Sequence, residues 1–491
     1  MFHDSHIFTI FMILIVFFTV SAFFASMRFF LSMQPFLSYV IDLVIKNSNF
    51  QKRKALIFSI RFVYRSFLRN FADKLANYMK YNTHTLPNGL RVIHLPSASP
   101  VVFCGYEIAA GTRHELPGEE GLAHFVEHVT FKGTQRRNYM QILNTLERVG
   151  GDLNAFTQKE DTVFYAAIMK EHLPKAVDLL TDIVFHSTYP QTEIDKEVEV
   201  ICDEIENYND SPAELIYDDF ENIVFEGHPL GHNILGNADR VRKFTTEDAL
   251  RFARMHYIPM NSVFFAYGDV EFEKLIRVLE KEERGERKEE RCGLYLEDRG
   301  KRKEERGVLP KKIIREKQTH QAHVMLGCRA YDIHHPLRIP LYLLNNILGG
   351  PAMNARLNIV LRERNGLVYT VESSMVSYGD TGLWAVYFGC DKHDVKRCLH
   401  LVRRELDKMI DKPLSASRLM AAKRQLKGQI GIACDNREQF ALDFGKSFLH
   451  YGWEKDITSL YEQIDQVTAE QIQQVARELM ADEQITTLIY K

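Results

Sequence analysis

Apolar and polar positions cycle along this chain in a readable order. Residues 83–94 read as a strand, an Asn-Gly turn and a second strand, which is a hairpin signal. Residues 101–110 are another apolar stretch of strand length, stopped by Gly111. A loop at 118–121 carries Glu119 and Glu120, acids that suit a helix start, and a helix is expected from there to about Gly133. Residues 139–149 keep a helical period up to Gly150 and Gly151. Residues 152–169 are strand-like, 172–185 an amphipathic helix, and 192–208 a longer helix rich in acids. More helices follow Pro212, then a short strand at 261–267.

The same series then starts again. Residues 322–330 are a strand like 101–110, and 336–348 a helix in the place of the one after Gly121. Residues 366–389 read as two strands, 394–409 as the amphipathic helix, and 416–431 as the counterpart of the acidic one. Between the copies, residues 281–291 hold ten charged side chains in eleven, five of each sign. Such a run cannot bury a core. The expected organisation is therefore an extension at 1–78, a first α/β unit at 79–285, a charged linker at 286–310, and a homologous second unit at 311–491. The fold class is α+β, with antiparallel-rich sheets carrying packed helices.

Composition narrows the chemistry. The net charge of -3 gives no reason to expect a nucleic-acid partner. The Cys count is seven, an odd number without a C-x-x-C, which argues against a disulfide framework and a Cys-rich zinc site and suits a reducing compartment. Residues 7–27 carry no charge and are long enough to span a bilayer as a helix. Residues 46–80 then hold nine Lys or Arg against one acid, Asp73, so a membrane contact through 7–27 would leave the bulk of the protein facing the cytoplasm. The alternative is an upstream extension with no role in the fold.

The candidate chemistry lies at His124-Phe-Val-Glu127-His128, which reads H-x-x-E-H. In a helix the two His fall at i and i+4, on one face, where two imidazoles reach one metal ion. Glu127 is placed to take a proton from a water that the ion activates. This is the H-E-x-x-H zinc-protease pattern in reverse order, the inverzincin arrangement. Catalytic zinc keeps three protein ligands and one open position, so a carboxylate from another helix would complete the set. The acidic helix at 192–208 offers several, most of them expected to be solvated. Glu197 and Glu204 differ in being seven apart, which puts both on one face. The second copy has no H-x-x-E-H.

Together these residues resemble the pitrilysin/insulinase family of zinc peptidases, in particular its short-chain branch, over about 80–490. Leu122-Ala-His124-Phe-Val-Glu127-His128 followed by Phe131-Lys-Gly-Thr134 is similar to the family signature. The resemblance implies one Zn²⁺ per chain on His124, His128 and Glu204, with Glu127 as general base and Glu197 in support. It implies that Asn154, Ala155, Phe156 and Thr157 form an edge strand that pairs with substrate backbone. Leu348-Gly-Gly350 resembles a glycine-rich loop of the second unit, with Pro351 where another Gly is usual. Arg362 and Tyr369, seven apart, match residues that in the family reach the reacting carbonyl. The chain would then be one half-shell of a peptidase chamber, working as a homodimer or with a related subunit on peptides or unfolded segments. In that arrangement Arg362 and Tyr369 act on the partner's site. The competing expectation is a catalytically silent partner subunit or scaffold.

Overall fold

The Asn88-Gly89 turn joins β1 (Asn82–Thr85) to β2 (Arg91–Pro96) as an antiparallel hairpin, the pairing expected from the sequence. This computed structural model describes residues 80–285 and 311–491. The apolar run at 7–27, the rest of the extension at 1–78, and the linker at 286–310 lie outside the described residues. After β2 come β3 (Val101–Ile108), α1 (Leu122–Thr130), α2 (Tyr139–Glu147), β4 (Asp152–Thr157), β5 (Thr162–Met169), α3 (Leu173–His186) and α4 (Gln191–Asn209). Then follow α5 (Pro212–Val224), α6 (Thr246–His256), β6 (Ser262–Gly268) and α7 (Phe272–Gly285). The stretch 152–169 is two strands, because β4 folds back on β5 with Thr157 opposite Thr162. The sheet order is β1-β2-β6-β3-β5-β4; β2 and β6 run parallel and the other neighbours antiparallel.

The second half runs β7 (Lys312–Arg315), β8 (Ala322–Ala330), α8 (Arg338–Gly349), β9 (Val368–Ser377), β10 (Gly382–Cys390), α9 (Val395–Asp411) and α10 (Ala416–Ala433). It ends with α11 (Arg437–Tyr451), α12 (Ile457–Gln466), α13 (Ala469–Leu479) and β11 (Thr486–Tyr490). Its sheet order is β7-β11-β8-β10-β9, with β7 and β11 parallel and the rest antiparallel. Laid on the first sheet, this matches β2-β6-β3-β5-β4 strand for strand, including the one parallel pair. The expected internal repeat is thus a repeat of sheet topology. It extends to β7 and β11, two short strands whose few residues carry little periodic signal.

The central strands of both sheets are buried on both faces. One face of the first sheet packs Tyr106, Phe164 and Ala166 against its own helices, and the second sheet does the same with Val324, Trp384 and Phe388. The other face is covered by a helix from the opposite half. On α5, Leu215, Ile216 and Phe220 pack on Met325, Tyr387 and Leu488 of the second sheet. On α11, Phe440 and Phe444 pack on Ile93, Val263 and Phe265 of the first. A sheet with one wet face would alternate along each strand. Here Gly382–Cys390 is buried at every position because neither face is wet. Each buried Phe contributes about 1.5–3 kcal/mol, so the exchanged helices tie the halves firmly. Accordingly Met79–Lys491 is one compact unit. Among the described residues no helix is long and apolar enough to cross a membrane.

Candidate active site

Helix α1 is short, and eight of its nine residues are buried. It packs against β4, α4 and α6. Its start depends on Gly121, whose φ of +98° suits glycine, and where a Cβ would lie 2.8 Å from the Leu235 carbonyl. The acid that caps it is not one of the two expected. The Glu115 carboxylate accepts from the Gly121 N–H (3.1 Å) and the Ala123 N–H (2.8 Å), and lies 2.9 Å from His232 Nε2. Glu119 and Glu120 instead pair with Arg251 and Arg240. Sequence reasoning missed Glu115 because it lies seven residues before Leu122, in a loop whose path the periodicity does not reveal.

This anchoring aims the two imidazoles of α1 at α4. Glu204 Oε2 lies 3.3 Å from His128 Nε2 and 3.8 Å from His124 Nε2. One ligand atom from each of the three residues falls within 4.8 Å of the other two. These separations suit one divalent cation, since bonds of about 2.0–2.1 Å in a tetrahedron place ligands roughly 3.3–3.4 Å apart. The donor set of two imidazole nitrogens and a carboxylate oxygen is chemistry that zinc accepts. The site residues predicted from i, i+4 spacing and from a distant carboxylate are therefore brought together.

Glu197 stands behind the cluster. His128 Nδ1 is 3.1 Å from Glu197 Oε1, and Lys132 Nζ is 2.5 Å from Glu197 Oε2. With Nδ1–H donating to Glu197, the His128 Nε2 lone pair would be free for a cation held with Glu204. Burial would raise the Glu197 carboxyl, but His128 and Lys132 outweigh it and hold it below the ordinary carboxylate value. Burial would lower His128, yet hydrogen bonds to Glu197 and Glu204 lift it to about 9. Burial first, and then the neighbouring His128, push His124 down to about 4. The Glu204 carboxyl is lowered, chiefly by its hydrogen bond with His128.

Glu127 is buried beside the cluster, and burial pushes its carboxyl up to about 7 against the opposing pull of His128 and Thr157. The Thr157 hydroxyl donates to Glu127 Oε2 at 3.0 Å. Thr157 was expected as part of a strand that meets substrate. Its side chain turns inward and fixes Glu127, because it sits at the buried end of β4. Along the same strand Asn154 is exposed, while Ala155 and Phe156 are half-buried. β4 is the edge of its sheet, so its outer backbone is unpaired within the sheet.

Arg362 and Tyr369 belong to the second half. The Arg362 guanidinium stacks over the Tyr369 ring at 5.6 Å, and both line a cavity of that half. Among the described residues, no hydrogen bond, ion pair or ring contact joins either to the His124–Glu204 cluster.

Residues 92–238 match a family model described as insulinase (peptidase family M16), and residues 243–426 one described as the peptidase M16 inactive domain. The chain is 31% identical over 409 residues to the uncharacterized zinc protease YmxG of Bacillus subtilis, covering 83% of this chain and 97% of that one. It is 29% identical over 418 residues to the beta subunit of mitochondrial-processing peptidase from Bos taurus, covering 84% of each. The crystal structure of a protease from Helicobacter pylori superimposes with a TM-score of 0.73 at 21% identity, over 84% of this chain and all of that one, a likeness of fold.

Proposed function

The chain belongs to the insulinase family, peptidase family M16, and from that premise we propose that it is a zinc-dependent endopeptidase acting on peptides or unfolded segments. The convergence of His124, His128 and Glu204 beside a buried Glu127 carries this reading. Relatives named zinc proteases support zinc as the ion, and the His124, His128 and Glu204 cluster would hold one per chain. A bound Zn²⁺ polarises a peptide carbonyl and makes water far more acidic.

The chain's own residues supply the rest. Glu127 takes the proton from the attacking water and returns it to the leaving amine. Thr157 holds the reacting carboxylate in one orientation. Glu197 keeps His128 in the tautomer that leaves Nε2 free for the ion. The open edge of β4 at Asn154 to Thr157 takes an extended peptide as an added strand. Arg362 and Tyr369 stand apart from this cluster, so their part in catalysis is proposed at the site of a paired subunit. One relative is named as a subunit of a processing peptidase, which supports pairing with a second copy or a related chain. The intact cluster favours this reading over a silent scaffold.

Chelation followed by zinc return tests it. Hydrolysis of a quenched peptide should vanish with a chelator and come back with zinc. Activity that survives complete zinc removal would overturn the proposal.

Two variants separate the supporting roles. Thr157→Val should lower kcat roughly tenfold, the worth of one hydrogen bond to a charged group, with zinc content unchanged. Glu197→Gln should weaken zinc binding about 10–100-fold in competition with a chelator, because it loosens the hold on His128. A Thr157→Val enzyme with full kcat, or a Glu197→Gln enzyme with wild-type zinc affinity, would remove the corresponding role.

A further inference from the structure

The second half carries an open cavity of about 920 Å³ between α8, β9 and the helices α10 to α12. Arg338, in the first turn of α8, lines it. The residue is half-buried, its Nε is buried without a hydrogen-bond partner, and among the described residues no ion pair reaches the guanidinium. Burial lowers the Arg338 pKa, with Tyr451 and Tyr342 acting the other way. The carboxylates on the same wall are engaged elsewhere. Asp443 meets Lys455 at 2.7 Å, Glu372 accepts from the Tyr217 hydroxyl, and Asp456 caps α12 through the Thr458 N–H. Glu454 is exposed.

A second orphan lines the same cavity. Gln429 Oε1, on α10, is buried without a donor among the described residues. The walls also include Leu426, Ile430 and Phe440. A half-buried guanidinium without an anion costs free energy, and a carboxylate bound through its remaining N–H groups offsets part of the loss. A molecule suited to these groups carries a carboxylate, an amide N–H and apolar side chains. Guanidinium suits a carboxylate better than any other side-chain donor, through paired hydrogen bonds.

We propose that this cavity is a second peptide site, which takes a peptide carboxylate, either the free C-terminus or an Asp or Glu side chain, on the Arg338 guanidinium. It needs no part of the metal cluster, and would hold even in a chain without peptidase activity.

The chain has its own reporter. Of its two Trp, Trp384 is fully buried in the second core and Trp453 lines the cavity, 44% exposed. The probe is acetyl-Ala-Leu-Ala-Phe with a free C-terminal carboxylate, titrated into the full chain carrying Glu127→Gln while Trp fluorescence is followed. The free acid should shift the emission saturably, and its C-terminal amide should bind roughly tenfold to a hundredfold more weakly. Arg338→Met should erase that difference, while Arg338→Lys, which keeps the charge without the fork, should retain part of it. An amidated peptide with an internal Glu decides the source: recovered binding assigns a side-chain carboxylate, and continued weakness assigns the C-terminus. Equal affinity for acid and amide, an Arg338→Met chain that still discriminates, or no emission change with any peptide would overturn the proposal. Cleavage of the probe during the titration would speak against the role of Glu127, and not against this site.

Discussion

Replacing Glu127 by Gln is expected to lower kcat for peptide hydrolysis by about 10²–10⁴-fold, the usual worth of a positioned general base. The substitution keeps the shape of the side chain and leaves an oxygen for the Thr157 hydroxyl. It removes only the ability to accept a proton. Glu127 contributes no atom to the cluster of His124, His128 and Glu204. Zinc content should therefore stay at one per chain. Steady-state kinetics on a quenched peptide and metal analysis of the same preparation check both halves of the expectation. A Glu127→Gln chain that hydrolyses within tenfold of the wild type would show that another group moves the proton.

The second large effect falls on Glu204. Replacing it by Ala should strip the ion, with a fall in zinc affinity beyond the roughly 10–100-fold that a supporting residue is worth. Glu204 is the one member of the cluster supplied by α4, and its side chain is 45% exposed. No buried cavity is made by its removal, so the melting temperature without metal should change little. Hydrolysis should fall in step with zinc and recover in part when zinc is added in excess. A variant that holds a full equivalent of zinc after dialysis against a chelator would remove Glu204 from the ligand set.

Much of this site was legible before any coordinates. The i, i+4 spacing of His124 and His128 depends only on α1 being helical, and Glu197 and Glu204 share a face for the same reason. Helical period is a local property, and the sequence shows it directly. What the period could not show is which elements meet. The inward turn of Thr157 depends on where β4 ends against β5, and a single residue of register decides it. Glu115 caps α1 through a loop contact. The exchange of α5 and α11 between the halves was hidden because an amphipathic helix advertises an apolar face without saying which sheet covers it. The repeat itself was readable, since 101–110 and 322–330 became equivalent strands, yet its outer pair β7 and β11 closes only through long-range pairing.

Anomalous diffraction from crystals of the full chain, collected on both sides of the zinc absorption edge, bears most directly on the metal centre. A single zinc peak should lie between His124 Nε2, His128 Nε2 and Glu204, within bonding distance of all three. A second group of potential ligands, Asp391, His393 and Asp394, sits on the surface of the second half and provides an internal comparison. Zinc found there, or nowhere, with no peak between His124, His128 and Glu204 in an enzyme that cleaves peptides, would contradict the assignment.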